Sequence, residues 1–333
     1  MTDSAATLTS PNPNPKSGTG RPLGVDGLHH ITALSSDVQR NYDFYAKTLG
    51  LRFLKKTVNF DDPSVYHFYF GDEFGSAGTV MTFFPRPGLA QGHVGLGQVS
   101  LTQFAVPKGS LGFWRARLEA AGRSVLTEEE VFGERRLVVL DPDGLPFAMV
   151  ETLDERTPWV TGDIPATHAI RGFQGATLAV GEEASLAPVL TAVFGYRREA
   201  EVPYPGGTLV RYRSATGAAS VLDLHVAPGL AEGVEAAGTV HHVAFSVPNR
   251  AAQQQIREAV AALGLRVTAQ IDRDYFYAIY FRTKAGILFE VATEEPGFAT
   301  DEPLEHLGES LRLPQQHEPR RAAIEASLVP IVR

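Results

Sequence analysis

Four segments of the 333-residue chain share one alternating pattern that runs into a loop and then a helix: "LHHITALSSD", "VSLTQFAVPK", "FQGATLAVGE" and "VHHVAFSVPN". Superposing them aligns His30, Leu101, Gly175 and His242, at intervals of 71, 74 and 67 residues. A near-constant period sets the architecture before any single element does. Each start leads into a stretch with apolar residues three and four positions apart, closed by glycine, as in "SLGFWRARLEAAG" and "RAAQQQIREAVAALG". Alternating strands follow, separated by the turn signals "DPDG" and "KAG" in the second and fourth units. The third unit, with "TLVRYRS" and "SVLDLHVA", is the most blurred.

The expected fold class is therefore α+β: four βαβββ units, each exposing a sheet face that needs covering, curled in pairs into two half-open barrels. The expected divisions are a disordered tail at 1–24, two-unit domains at 25–160 and 168–296, and an extension at 297–333 whose "PRRAAIEASL" reads as a helix packed outside. The tail, rich in Ser, Thr, Pro, Asn and Gly, has too little apolar surface to repay the entropy of ordering.

Composition narrows the chemistry. A net charge of −8 spread over dispersed acids and bases, without a Lys/Arg block, argues against nucleic acid and anionic membranes as partners. No apolar run approaches the roughly 20 residues of a membrane span, so a soluble, cytoplasmic protein is expected, with a homo-oligomer left open. Cysteine is absent, which removes disulfides, thiolate nucleophiles and sulfur-ligated metals. Any metal must sit on N and O ligands. The glycines of "GHVGLGQ" lack the strand-to-helix setting of a phosphate loop, and nucleotide binding finds no support.

Chemistry is expected where the repeat breaks. Units one and four carry histidine pairs where the others have Ser100-Leu101 and Gln174-Gly175. Neighbouring strand residues face opposite ways. His242 shares a face with Ala244 and Ser246, whereas His241 goes with Val243, Phe245 and Val247, which want the helix. His30 likewise falls with Thr32, so the second histidine of each pair is the ligand candidate. Aligning the last strands by their turn glycines sets Glu290 opposite Thr82 and Ala148, and the carboxylate is expected in unit four alone. Singly, each residue reads more simply as a core histidine or a solvated glutamate. As a matched set, two imidazoles and one carboxylate suit a metal with open positions, as in non-haem Fe(II) oxygenases. Units one and four then share the metal barrel, and two and three form a blank one. Arg273 and Tyr280, on strands near Glu290, offer a cation and a phenol, with an exposed arginine and a packing aromatic as the plainer reading. His67 and His225 read as core or rim, and His93, His168, His306 and His317 as solvated.

These residues resemble the vicinal oxygen chelate superfamily, and within it the ring-cleaving dioxygenases that act on hydroquinones. The likeness runs from about Leu28 to the C-terminal helix through "LHHIT", "YHFYFGDEFGSAGTVMTFFP", "AVPKGSL", "HHVAFSVP" and "RDYFYAIYFRTKAGILFEVAT". It implies tandem modules of that fold and an Fe(II) enzyme, Mn(II) being the alternative, with metal ligands His30, His242 and Glu290. It further implies that His29 and His241 stand near the substrate with Arg273 and Tyr280. Strict alternation turns the first histidines the other way, and a β-bulge would reconcile the two. The implied reaction inserts O2 into the ring of a small aromatic diol, hydroquinone or catechol. A glyoxalase-like lyase or isomerase, or a non-catalytic binding protein of the same fold, is the rival reading.

Overall fold

The computed structural model describes residues 22–160 and 162–333, so residues 1–21 of the expected tail lie outside the described residues. Unit one comprises β1 (Leu28–Ser35), helix α1 (Val38–Tyr42), β2 (Arg52–Val58), β3 (Tyr66–Gly71) and β4 (Val80–Pro85). Unit two comprises β5 (Gln98–Pro107), α2 (Leu111–Ala120), β6 (Val125–Val131), β7 (Glu134–Leu140) and β8 (Pro146–Thr152). Unit three has β9 (Gly172–Val180), β10 (Tyr196–Tyr204), β11 (Gly207–Ser214) and β12 (Val221–Val226). Unit four has β13 (Val240–Val247), α3 (Arg250–Ala262), β14 (Ile271–Asp272), β15 (Phe276–Arg282) and β16 (Leu288–Pro296).

The sheets are two curled half-barrels. One runs β14-β15-β16-β13-β1-β4-β3-β2, and the other β10-β11-β12-β9-β5-β8-β7-β6. Units one and four share the first, and units two and three the second. Each sheet thus draws one unit from 25–160 and one from 168–296. The reason is that the first strands of partner units pair antiparallel at each sheet's centre, β1 with β13 and β5 with β9.

Helices cover the convex faces. On α3, Gln253, Ile256 and Val260 are buried, following the three-and-four spacing, and the Asn249 side chain caps the helix by accepting the Ala252 N–H at 3.0 Å. Ile256 and Val260 pack in one core with Val243, Phe245 and Val247, each buried aliphatic or aromatic side chain contributing about 1.5–3 kcal/mol. The helical segment of unit one is not regular. After α1 it widens through Asp43–Thr48, where the Leu49 N–H donates to the Phe44 carbonyl five residues back. In unit three the expected helix shrinks to a similar wide turn, Val189–Val193, which begins after Pro188.

The C-terminal extension closes over the β2 edge. Lys55 is fully buried and pairs with Asp301 at 2.6 Å and Glu302 at 2.7 Å. Helix α4 (Arg321–Ser327) inserts Ile324 into the main core, as expected for a helix packed outside the sheets. No helix among the described residues is long and apolar enough to cross a membrane.

Candidate metal centre

The site forms where β1 crosses β13. Leu28 pairs with Phe245 and His30 with Ala244, leaving His29 unpaired; Thr32 pairs with His242 and Ala33 with Val240, leaving His241 unpaired. Each first histidine is thus the extra residue of a bulge. The second sheet has bulges at Ser100 and Gln174, the aligned positions, so the bulge belongs to the fold, and units one and four fill it with histidine. A bulge of this kind is what the sequence reading asked for, since an unpaired residue is released from the pleat.

The second histidines turn inward. His30 Nε2 and His242 Nε2 lie 3.2 Å apart, and Glu290 Oε2 lies 2.9 Å from His242 Nε2 and 3.4 Å from His30 Nε2. All three side chains are buried. Glu290 arrives on β16, which runs parallel to β13 with Ala244 paired to Glu290. Burial lowers the His242 pKa to about 4 against the pull of Glu290, so its imidazole is neutral at pH 7. Burial would raise the Glu290 carboxyl, but His30 and His242 outweigh it and hold it well below the ordinary range. Among the described residues neither Glu290 oxygen receives a hydrogen bond of good geometry, despite complete burial and with His242 Nε2 2.9 Å away. Two lone-pair nitrogens and an unsatisfied carboxylate aimed at one point fit a metal cation, which would satisfy all three. His30, His242 and Glu290 form the metal-capable cluster found among the described residues.

Outside this cluster the doublets form matching contacts. His29 Nδ1 is 2.9 Å from His30 Nδ1, and His241 Nδ1 is 2.7 Å from His242 Nδ1. With both Nε2 atoms kept as ligands, each inner Nδ1–H donates to its neighbour, which fixes tautomer and ring angle. The two outer histidines then differ. His29 is buried against Phe276, with its pKa lowered to about 3 by burial and by His30, while His241 lines the cavity. His29 is not among the cavity-lining residues.

The cavity above the cluster encloses about 490 Å³, within the size range of small-molecule sites, with Phe60, Phe84, Phe276 and Leu288 in its walls. Tyr280 pairs with Glu290 across the β15–β16 ladder. Burial and Glu290 raise its phenol well above the ordinary value, keeping it protonated. Arg273 lies one residue past β14, in the turn rather than on a strand. Its Nε is 3.3 Å from the Tyr280 hydroxyl, and its guanidinium packs over the Tyr280 and Phe60 rings.

Two expectations need correction. Asp223 of unit three stands at the register of Glu290, since Thr177 pairs with Asp223 as Ala244 pairs with Glu290, so unit four is not alone in carrying a carboxylate there. There Arg211 neutralises it, with Nε 2.7 Å from Oδ1. His67 is also a cavity residue, together with Tyr69. Every residue of β3 is buried, so alternation gave no hint of which side chains face inward. Of the histidines read as solvated, His168 stacks on Phe113 at 4.6 Å and His317 Nε2 meets the Phe60 carbonyl at 2.9 Å. His225 sits near the rim, 2.9 Å from the Pro205 carbonyl.

Residues 27–149 and 176–291 match the Glyoxalase/Bleomycin resistance protein/Dioxygenase superfamily. The chain is 46% identical over 305 residues to the "Putative ring-cleaving dioxygenase MhqO" of Bacillus subtilis (strain 168), covering 91% of this chain and 96% of that one. It is 34% identical over 306 residues to the chlorohydroquinone/hydroquinone 1,2-dioxygenase of Sphingobium indicum, covering 89% of this chain and 94% of the other. The crystal structure of a "putative dioxygenase" from Bacillus subtilis subsp. subtilis str. 168 superposes with a TM-score of 0.89 at 44% identity, covering 93% of this chain and 99% of that one.

Proposed function

The chain belongs to the Glyoxalase/Bleomycin resistance protein/Dioxygenase superfamily, and on that premise we propose that it is an Fe(II)-dependent ring-cleaving dioxygenase acting on a hydroquinone-type aromatic diol. The observation that carries this reading is the buried convergence of His30 Nε2, His242 Nε2 and an unsatisfied Glu290 carboxylate at the floor of an aromatic-walled cavity. Relatives named for ring cleavage, one of them for hydroquinone, support the choice of reaction. The donor set suits Fe(II), with Mn(II) the alternative, because both accept two imidazoles and a carboxylate on one face and leave positions for exchange. When bound, such a metal lowers the pKa of a coordinated hydroxyl and brings the diol and O2 together.

The chain's own residues then have definite tasks. Phe60, Phe84 and Phe276 hold the ring and exclude water. His241, on the cavity wall with its Nδ1 accepting from His242, keeps Nε2–H free to donate to a substrate oxygen. Arg273 places a fixed positive charge beside the Tyr280 hydroxyl, where an anionic oxygen of the ring is stabilised. His29 holds the His30 ring in orientation from outside the cavity.

The test is anaerobic reconstitution with Fe(II), followed by O2 uptake against hydroquinones and catechols. Stoichiometric uptake with ring-opened product is expected. Protein with a full iron complement that consumes no O2 with any diol overturns the reading.

A further inference from the structure

The strand order of the metal sheet sets a second phenol against the cavity. Across that sheet the positions run Tyr280 on β15, Glu290 on β16, His242 on β13, His30 on β1, Thr82 on β4 and Tyr69 on β3. Tyr69 pairs with Thr82 as Tyr280 pairs with Glu290, and Thr32 pairs with Thr82 as Ala244 pairs with Glu290. The repeat therefore places one tyrosine on each flank of the metal cluster, and both line the cavity.

Tyr69 is also held for use. Its hydroxyl is 2.9 Å from His67 Nδ1, His67 Nε2 is 3.0 Å from Thr82 Oγ1, and Thr82 Oγ1 is 2.7 Å from Thr32 Oγ1. Burial keeps His67 neutral, so one of its nitrogens donates and the other accepts. In the Nδ1–H tautomer of His67, Thr32 donates to Thr82, Thr82 to Nε2, and Nδ1–H to the Tyr69 oxygen, so that the Tyr69 O–H is left to donate elsewhere. No other side-chain partner of that hydroxyl is seen among the described residues. A phenol oriented by a buried three-residue chain, with a spare donor at a cavity wall, is a ligand-recognition group.

A 1,4-diol supplies the matching acceptor. Its two oxygens lie at opposite ends of the ring, so when one is at the metal cluster the other must meet a wall. A 1,2-diol keeps both oxygens at one end. Resting on the ring-cleavage reading above, we infer that Tyr69, oriented by His67, binds the remote hydroxyl of the substrate and so selects hydroquinones over catechols. In this scheme Tyr69 touches substrate and His67 is a positioning residue.

The experiment is anaerobic calorimetry of the metal-loaded protein with hydroquinone, phenol and catechol, on wild type, Tyr69→Phe and His67→Leu. Phenol lacks only the remote hydroxyl, and Tyr69→Phe only its partner. Wild type is expected to prefer hydroquinone over phenol by about tenfold, the size of one buried hydrogen bond. Tyr69→Phe should bring that ratio to about one while leaving phenol and catechol affinities unchanged. His67→Leu should reduce the ratio too, whereas His67→Gln, which still donates to a phenol oxygen, should restore it. Metal content, measured alongside, should match wild type in all three variants. A hydroquinone-to-phenol ratio that is unity in wild type, or that survives in Tyr69→Phe, overturns the inference. A Tyr69-dependent ratio in protein that consumes no O2 supports it while the ring-cleavage reading falls.

Discussion

Arg211 and Asp223 form a buried ion pair in the second sheet, at the register that Tyr280 and Glu290 occupy in the first. The pair is buttressed by Glu134 Oε2, 2.6 Å from Arg211 Nη1, and by the Gln103 amide, which donates to Asp223 Oδ2 at 3.1 Å. Phe132 lies over the guanidinium at 4.3 Å. One fold thus offers the same carboxylate position twice. In one sheet it is neutralised by an arginine, and in the other it is left beside two imidazoles. Removing Asp223 leaves the buried guanidinium with only the partly exposed Glu134 as a partner. Asp223→Ala should cost about 3–5 kcal/mol, and the double replacement Arg211→Met with Asp223→Leu should recover most of it. Urea midpoints measure both. Metal content should stay at wild type throughout, because the two centres lie in different sheets.

The histidine doublets separate metal binding from its tuning. His242→Ala and Glu290→Gln each remove a donor from a three-ligand cluster and should abolish stoichiometric metal binding. His241→Ala removes only the partner of His242 Nδ1, and should retain metal with affinity lowered by about 10–100-fold while losing turnover. Metal analysis after dialysis, with O2 uptake on the same samples, distinguishes them. If His241→Ala emerges metal-free and His242→Ala does not, the roles of the doublet are reversed.

Much of this was legible in the sequence because the first strand of every unit kept its pattern. The pairing of unit one with unit four, and the choice of His30 and His242 over their neighbours, follow from alternation and from where the doublets fall. What stayed hidden has local causes. Strands β6 and β10 are edge strands with largely exposed, charged sequences, "VLTEEEV" and "YRREAEVPY", which lack a buried stripe. β2 carries Lys55 where an apolar residue would be expected, and only the distant Asp301 and Glu302 make it a core position. Tyr69 and Asp223 escaped because the hairpins differ in length. Tyr69 and Thr82 are 13 positions apart and Arg211 and Asp223 are 12, whereas Tyr280 and Glu290 are 10 apart. Alignment from the turn glycine therefore slides out of register on the strand before the turn in unit one, and on the strand after it in unit three.

Buried neutral histidines make the protein acid-sensitive. Burial holds His67 well below its ordinary value and lowers His29 to about 3. In the unfolded chain each titrates near 6.5. Between those values the unfolded state binds protons that the folded state refuses, so stability rises with pH and is lost as pH falls from about 6.5 towards 3. In chelator, the urea midpoint of wild type should drop between pH 7.5 and 5. His67→Gln should start lower, through its altered contacts to Tyr69 and Thr82, but should lose less over the same interval. Parallel declines in the two proteins would show that His67 contributes nothing to the acid limb.

The blank sheet is blank for a backbone reason as well as an electrostatic one. Gly175 occupies in unit three the position of His30 and His242, and a Cβ built there would meet the Val221 carbonyl oxygen at 2.0 Å. Strands β9 and β12 pair at that point, Gly175 with Val221, so the clash is with a neighbouring strand that cannot move without breaking its ladder. A histidine is therefore excluded there before any question of ligands arises. Gly175→Ala should destabilise the protein by about 2–4 kcal/mol, an overpacking cost at the upper end for a single methyl group. Leu101, at the matching position of unit two, already carries a Cβ, so Leu101→His adds no such backbone clash and should be milder, its cost being that of burying an imidazole in place of a leucine. Thermal unfolding of the two variants side by side gives the comparison. If Gly175→Ala is as stable as wild type, backbone crowding at Gly175 is not what keeps a histidine out of unit three.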